Sequence, residues 1–416
     1  MLVKEGDDSK QDFRSRSAIV VPNVRVDRPI MPKTSTGGMV QMKKVTSIVV
    51  LALLAAMISI APGVAAPPVF KIGGLASLQS GYGQSMVSGA ALAIEEINAA
   101  GGVNGIKLEI DWQDTEANAS IGRTAAQKLI YGSKVDAILG CHASTVVLAI
   151  EGLVKSANVL EVAMGSATAV TDLGNPWIVR VREPDELTAS VLANYIVDVK
   201  KYDKIAIFYM SEQYGVGGKD NMTAVLKTKG ITPVISVAHN PKDKDFSSQL
   251  LNIKKSGAKA MVIFSGLPDL GILVKQARQL CPEVEIFMSS VGATKPFMDV
   301  AGPAADGTFA VVTFTEDNPD ALVQTFVKKH IAKYGVPPYD FFDPLAYDAV
   351  YMLAEAVKKA GGTDHKKVRD AFMTIKGFPG ATGLSYDVTP DGETVHELLL
   401  VMIKDGRHQV IQKVRG

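Results

Sequence analysis

Two short turns that carry hydroxyl groups offer the clearest chemistry in the sequence. The first, Ser144-Thr145, follows the apolar run Ala137–Leu139, and the second holds Ser166 and Thr168. Because ligands of open α/β sheets bind beyond the carboxyl ends of the strands, both turns are expected on one rim. Hydroxyls and free N–H groups at a helix start suit a carboxylate. An ordinary helix cap explains either turn alone, but two on successive strands favour a ligand site.

A strict alternation of strand and helix patterns has to position these turns. It begins with a strand at Phe70–Leu75 and a helix over residues 84–98. The segment Arg182–Asp185 interrupts it, and the alternation then begins again at residues 204–209 and includes the apolar run 260–264. Such an alternation predicts a parallel sheet with helices on both faces. The sequence therefore predicts an α/β protein with two doubly wound lobes.

Composition and motifs exclude several classes of function. Lys and Arg number 44 against 43 Asp and Glu, so there is no basic excess to attract nucleic acid. Two cysteines, Cys141 and Cys281, are too few for a disulfide framework. We find no nucleophile elbow, phosphate-binding loop or zinc motif, and the six histidines lack ligand spacing. We therefore expect neither a cofactor nor a metal, and a binding protein rather than an exported enzyme.

The amino-terminal region predicts export. Met42-Lys-Lys44 is a short basic region, Ile48–Ile58 is an apolar core too short to span a bilayer, and Val64-Ala65-Ala66 offers a cleavage site. Residues 42–66 are therefore interpreted as a signal peptide that directs the protein to the periplasm, with a retained anchor as the alternative. Residues 1–41 are explained either by a misassigned start codon or by a disordered extension.

Five segments carry a resemblance to a known family. The most specific is the helix that ends in Asn98-Ala-Ala-Gly-Gly102; the others are Ser80–Gly83, Gly165–Thr168, Gln213–Gly215 and Pro344–Val350. They resemble the leucine/isoleucine/valine-binding proteins of bacterial ABC importers, and the resemblance extends from Phe70 to Gly416. It implies a Venus-flytrap fold, the type I periplasmic binding fold, with three crossings between its lobes. Residues 67–184 and 315–379 would form lobe 1, and residues 185–314 and 380–416 would form lobe 2.

The resemblance also implies site positions and partners. Hydroxyl and backbone groups of lobe 1 would bind the ligand carboxylate and α-amino group, and aromatic side chains would cover the ligand from both lobes. The implied partners are a small amino acid or carboxylate and the permease subunits of an ABC transporter, and we expect a monomer. The implied ligand-binding residues are Tyr82, Ala143, Ser144, Ala167, Thr168, Tyr214, Ser265 and Val291.

One position departs from the family pattern. An acidic residue that pairs with the ligand ammonium should follow the strand Ile286–Met288, but the sequence has Val291 or a serine there. A buried ammonium without its charge partner costs several kcal/mol. Either another acid substitutes, with Asp185 and Glu212 as candidates, or the ligand is an aromatic or aliphatic acid or amide without an ammonium.

Overall fold

The computed structural model describes residues 68–394 and 397–415. The predicted signal peptide and the segment before it lie outside the described residues. In the described part of the chain, no helix is both long enough and apolar enough to span a bilayer.

Strands and helices alternate along most of the described chain. The strands are β1 (Val69–Ala76), β2 (Lys107–Asp114), β3 (Ala137–Gly140), β4 (Leu160–Ala163), β5 (Ile178–Arg180), β6 (Ile205–Met210), β7 (Ile235–His239), β8 (Ala260–Phe264), β9 (Glu285–Met288), β10 (Phe309–Val312), β11 (Phe378–Pro379), β12 (Ser385–Tyr386), β13 (Glu397–Lys404) and β14 (Arg407–Arg415). The α-helices are α1 (Gly81–Ala99), α2 (Ala119–Gln127), α3 (Ser144–Ala157), α4 (Ala169–Asp172), α5 (Asp185–Asn194), α6 (Gln213–Thr228), α7 (Ser247–Ser256), α8 (Asp269–Leu280), α9 (Lys295–Ala301), α10 (Ala321–Tyr334), α11 (Phe342–Ala360) and α12 (His365–Phe372).

The first lobe is built on a five-stranded parallel sheet in the order β2-β1-β3-β4-β5. Its central strands β3 and β4 are buried throughout because helices cover both faces, whereas the edge strand β2 is mostly polar and only partly buried. Helices α1, α10, α11 and α12 bury apolar side chains against one face, and α2 and α3 bury theirs against the other. The predicted doubly wound sheet is thereby confirmed for this lobe.

The second lobe has a seven-stranded sheet in the order β14-β13-β10-β9-β8-β6-β7. Strands β6 to β10 are parallel, whereas the hairpin β13–β14 joins the edge of β10 in antiparallel fashion. Apolar side chains from this sheet form two further cores, one on each face. In both lobes the carboxyl ends of the central parallel strands form the rim on which a ligand site is expected.

The first two crossings predicted between the lobes, near residues 182–185 and 313–315, stay predictions; the chain leaves the first sheet after β5, enters the second at β6 and leaves it after β10. The third does not begin at residue 380, as we predicted, because Leu384, Tyr386 and Val388 are buried in the core of the first lobe. The chain joins the second sheet only with β13. The first and third crossings run side by side, since Arg180 N donates to Gly392 O over 2.8 Å.

Candidate functional site

Ser144 and Ala167 lie next to each other on the rim of the first lobe. Ser144 is the first residue of α3 and Ala143 occupies the N-cap position without a side-chain hydrogen bond, so the expected hydroxyl cap is wrong. The Ser144 hydroxyl instead accepts a hydrogen bond from Ala167 N at 3.1 Å. Gly165 permits this approach, because a Cβ there would lie 2.9 Å from the Ser144 Cα. The two turns predicted from the sequence are therefore brought together.

Thr168 connects this rim with the second lobe. Its Oγ1 accepts a hydrogen bond of 2.7 Å from the side-chain amide of Asn221 on α6. The neighbouring Ser166 hydroxyl is buried beside the carboxyl group of Asp185. Asn221 was not singled out in the sequence, because nothing local distinguishes an asparagine in the middle of a helix. The contact shows that the two rims face each other across one cleft.

Aromatic rings line the cleft on the side of the first lobe. The ring of Tyr82, in the first turn of α1, has its centroid 5.7 Å from that of His142 and 5.5 Å from that of Phe342. Tyr82 packs against the cores of both lobes, and its hydroxyl has no partner among the residues that the structure describes. Burial, and then the charge of Arg182, lowers the pKa of His142 to about 4, so its imidazole is neutral at pH 7.

Tyr214 contributes an aromatic ring from the second lobe. It lies in the first turn of α6, and its hydroxyl is hydrogen-bonded to Ser289, directly after β9. Burial, with Asp185 nearby, raises the pKa of Tyr214, and the phenol is uncharged at pH 7. The two tyrosines predicted for the site thus contribute to the same cleft from opposite lobes.

Arg182 is the functional side chain that the sequence analysis missed. It is 5% exposed, and its guanidinium carbon lies 5.1, 5.3 and 6.0 Å from the ring centroids of Phe341, Phe342 and Tyr214. These distances are typical of cation–π contacts. Its Nη2 also donates to the Ser290 hydroxyl at 3.0 Å, across the cleft. The available signal was an arginine at a crossing between domains, which we interpreted only as part of the connection.

The two candidate acids have different positions. Asp185 begins α5 and is 1% exposed, and its Oδ2 has no partner among the described residues. Burial raises the pKa of Asp185 to about 6, although the positive charge of Arg182 opposes the shift. Glu212 is exposed, and its charged neighbours are Asp269, His239 and Lys242 rather than residues of the cleft. Of the two candidate acids, Asp185 therefore lies in the cleft and Glu212 does not.

Two other predicted positions do not present their side chains as expected. Ser265, after β8, is fully buried, and its hydroxyl is hydrogen-bonded to His239 Nε2 at 2.9 Å. Val291 is 4% exposed and packs in a core of the second lobe. The 3₁₀ turn over Ser290–Ala293 places Ser290, and not Val291, against Arg182. The residue after β9 that faces the cleft is therefore a serine.

Comparison with known proteins adds to this geometry. Residues 69–407 match the family model described as "Periplasmic binding protein". A leucine-, isoleucine-, valine-, threonine- and alanine-binding protein of Pseudomonas aeruginosa is 30% identical over 318 residues, which cover 74% of this chain and 83% of that protein. A Leu/Ile/Val-binding protein of Rhizobium johnstonii is 30% identical over 317 residues, which cover 74% of this chain and 84% of that protein.

Solved structures show the same fold. A leucine-binding protein from Thermotoga maritima has a TM-score of 0.77 at 24% identity, covering 83% of this chain and 98% of its own. A solute-binding protein of an ABC transporter from R. palustris, solved with benzoate, has a TM-score of 0.77 at 19% identity and covers 83% of this chain and 96% of its own. At these identities the similarity establishes the two-lobed fold.

Proposed function

The chain belongs to the periplasmic binding protein family, and from this premise we propose that it is the solute-binding protein of an ABC importer. It is exported to the periplasm, binds one small carboxylate between its lobes as a monomer, and delivers this ligand to the permease. Cleavage after Ala66 gives a mature protein that starts at Pro67. Intact-mass analysis of the exported protein tests this step, and a full-length cytoplasmic product would contradict it.

The division of the site between two lobes is the observation that carries the proposal. Thr168 of the first lobe is hydrogen-bonded to Asn221 of the second, and Arg182 is hydrogen-bonded to Ser290 across the same cleft. A site completed by two lobes suits a protein that closes over its ligand. The Ser144 hydroxyl, held beside Ala167, supplies the donor for the ligand carboxylate from the first lobe.

Two ligand classes fit the proposal. The amino acids for which the two relatives are named favour an aliphatic amino acid, and Asp185 would then pair with its ammonium group. The serine in place of the family's acid favours an acid or amide without an ammonium. A receptor for chemotaxis or signalling would bind the same ligands, and loss of uptake after deletion of the gene separates transport from signalling.

An exported enzyme is the alternative from another class, and specific contacts disfavour it. Ser265 and His239 form a hydrogen-bonded pair, but Ser265 is fully buried and no substrate can reach its hydroxyl. Burial raises the pKa of the Cys141 thiol to about 11, so it is not a thiolate nucleophile at pH 7. Among the described residues, no group of three or more His, Cys, Asp and Glu side chains could hold a metal ion.

A thermal-shift screen over amino acids, amides and small acids tests the proposed function. A ligand at a hundredfold excess over its Kd stabilises the folded protein by about 2.7 kcal/mol. Small-angle scattering with the ligand found should show a smaller radius of gyration than without it. Failure of the whole screen, or conversion of the ligand to a product, would contradict the proposal.

A further inference from the structure

Arg182 is a buried charge whose own ion pair is weak. Its side chain is 6% exposed, and its one carboxylate contact in the described structure is the neighbouring Glu183, whose Oε1 lies 3.4 Å from Nε. Removing a guanidinium from water costs several kcal/mol unless strong hydrogen bonds compensate. A contact at 3.4 Å through one nitrogen is far from the paired geometry that makes arginine–carboxylate bonds strong.

Most of the hydrogen-bonding capacity of this guanidinium is unused. A guanidinium carries five N–H groups. In the described structure one donates to Glu183 and one to the Ser290 hydroxyl, which leaves three without a protein acceptor. The remaining neighbours are the rings of Phe341, Phe342 and Tyr214, which contact the cation by their faces or edges and cannot accept two in-plane bonds. The site therefore lacks an acceptor of the shape of a carboxylate.

The surroundings of Arg182 are poorly suited to a ligand ammonium. Ser290 already serves the guanidinium, and Val291 is buried in the core. Burial raises the pKa of the neighbouring Asp340 well above its usual range. The acidic groups that face the cation are Glu183 and Asp185. A ligand ammonium in contact with the guanidinium would be repelled by it, whereas a carboxylate on its free N–H groups would be attracted, against the repulsion of Glu183 and Asp185.

We propose that Arg182 binds the carboxylate of the ligand through two parallel N–H···O bonds, and that the ligand is a small apolar carboxylate without an ammonium group. Its apolar part lies among the rings of Tyr82, Phe342 and Tyr214. Arg182 thereby determines specificity. Where the family resemblance implies an acidic residue that binds a ligand ammonium, this cleft has a serine in contact with a positively charged arginine. This inference rests on the proposed function and names its substrate class.

Matched probes test the ligand class on the unmodified protein. L-Leucine and 4-methylpentanoate differ only in the ammonium group, and benzoate and benzamide differ in the negative charge. By calorimetry, the two carboxylates should bind at least about tenfold more tightly than leucine and benzamide. Tighter binding of leucine than of 4-methylpentanoate would overturn the inference and leave the proposed function intact. Absence of binding by both carboxylates also overturns it, and the proposed function is then judged by the wider screen.

Substitutions test the residue. Arg182→Gln should weaken carboxylate binding by at least about tenfold, and Arg182→Lys should give an intermediate loss because it keeps the positive charge but not the planar pair of donors. Arg123→Gln is the matched control, since Arg123 is exposed on α2 and, within the described part of the chain, donates to the Ala149 carbonyl alone. Ser290→Ala provides a second test if Arg182→Gln does not fold, and a several-fold loss is expected. Parent-like carboxylate affinity in the folded variant would refute the assignment.

Discussion

Two arginines, Arg180 at the end of β5 and Arg182 in the segment that follows it, are buried in different ways. All five N–H groups of Arg180 are used: Nε and one Nη2 N–H bond Glu393, Nη1 donates to the carbonyls of Ser166 and Ala167, and the second Nη2 N–H donates to Thr171. Arg182 uses two of its five. A satisfied buried charge holds structure together, whereas an unsatisfied one in a cleft is available to a ligand. The comparison therefore assigns Arg180 a structural role and Arg182 a role in ligand specificity.

Removing Arg180 should have the largest effect on stability. Arg180→Met leaves Glu393 and two buried carbonyls without their partner, and we expect it to lower the free energy of unfolding by about 3–5 kcal/mol. Arg182→Met should cost less than Arg180→Met, because Arg182 donates two hydrogen bonds to protein acceptors where Arg180 donates five. Denaturant unfolding of both variants without ligand measures the difference. Equal losses would show that the two arginines do not differ as their contacts indicate.

Ser144→Ala tests whether the ligand carboxylate is bound by the first-lobe rim as well as by Arg182. Loss of a hydrogen bond to a charged carboxylate should weaken ligand binding by about 1.5–3 kcal/mol in calorimetry. Thr145→Ala, one residue further along α3, serves as the control and should bind like the parent. If Ser144→Ala also binds like the parent, the ligand is held without this rim.

The pH dependence of binding distinguishes the two ligand classes through Asp185. Its pKa of about 6 reflects burial, opposed by Arg182 and Arg180 and reinforced by Glu183. As pH falls from 7 to 5 the carboxyl becomes neutral, so repulsion of a ligand carboxylate disappears and affinity should rise by up to about tenfold. An amino acid paired with ionised Asp185 would instead bind less tightly at pH 5. Asp185→Asn should flatten either profile.

Asn221→Ala should have the smallest of these effects. It removes the hydrogen bond to Thr168 that connects the lobes, which is worth about 0.5–1.5 kcal/mol. We expect a several-fold loss of affinity and a larger radius of gyration in small-angle scattering. Lys227→Ala, on the exposed side of the same helix, should change neither quantity.

Much of the fold could be predicted from the sequence because its signals are local. The apolar run at residues 260–264 predicts a buried strand, and β8 has the same limits. The first-lobe rim was also foreseeable, since Ser144 and Ala167 follow successive strands of one parallel sheet. The positions of such rim residues depend only on where the strands end, and short stretches of sequence are enough to predict strand ends.

The second-lobe rim and Arg182 depend on contacts between distant parts of the chain. The hydroxyl of Ser265 is taken by His239, 26 residues earlier, and a single 3₁₀ turn decides that Ser290 rather than Val291 faces the cleft. The rings around Arg182 come from residues 341 and 342, far along the chain. No local pattern records such pairings. The sequence therefore predicted the contact between the two turns of the first lobe, but not the buried positive charge of Arg182.

The pairing of the first and third crossings has a mechanical consequence. Arg180 N donates to the Gly392 carbonyl, and the Thr394 hydroxyl donates to the Arg180 carbonyl. The two segments are therefore hydrogen-bonded to each other and form a two-stranded ribbon. A ribbon bends easily across its flat face but resists torsion, because twisting would shear these bonds. The lobes should therefore swing in one plane. A pair of fluorophores across the mouth of the cleft would then report occupancy along a single coordinate, which makes the protein a suitable frame for a biosensor.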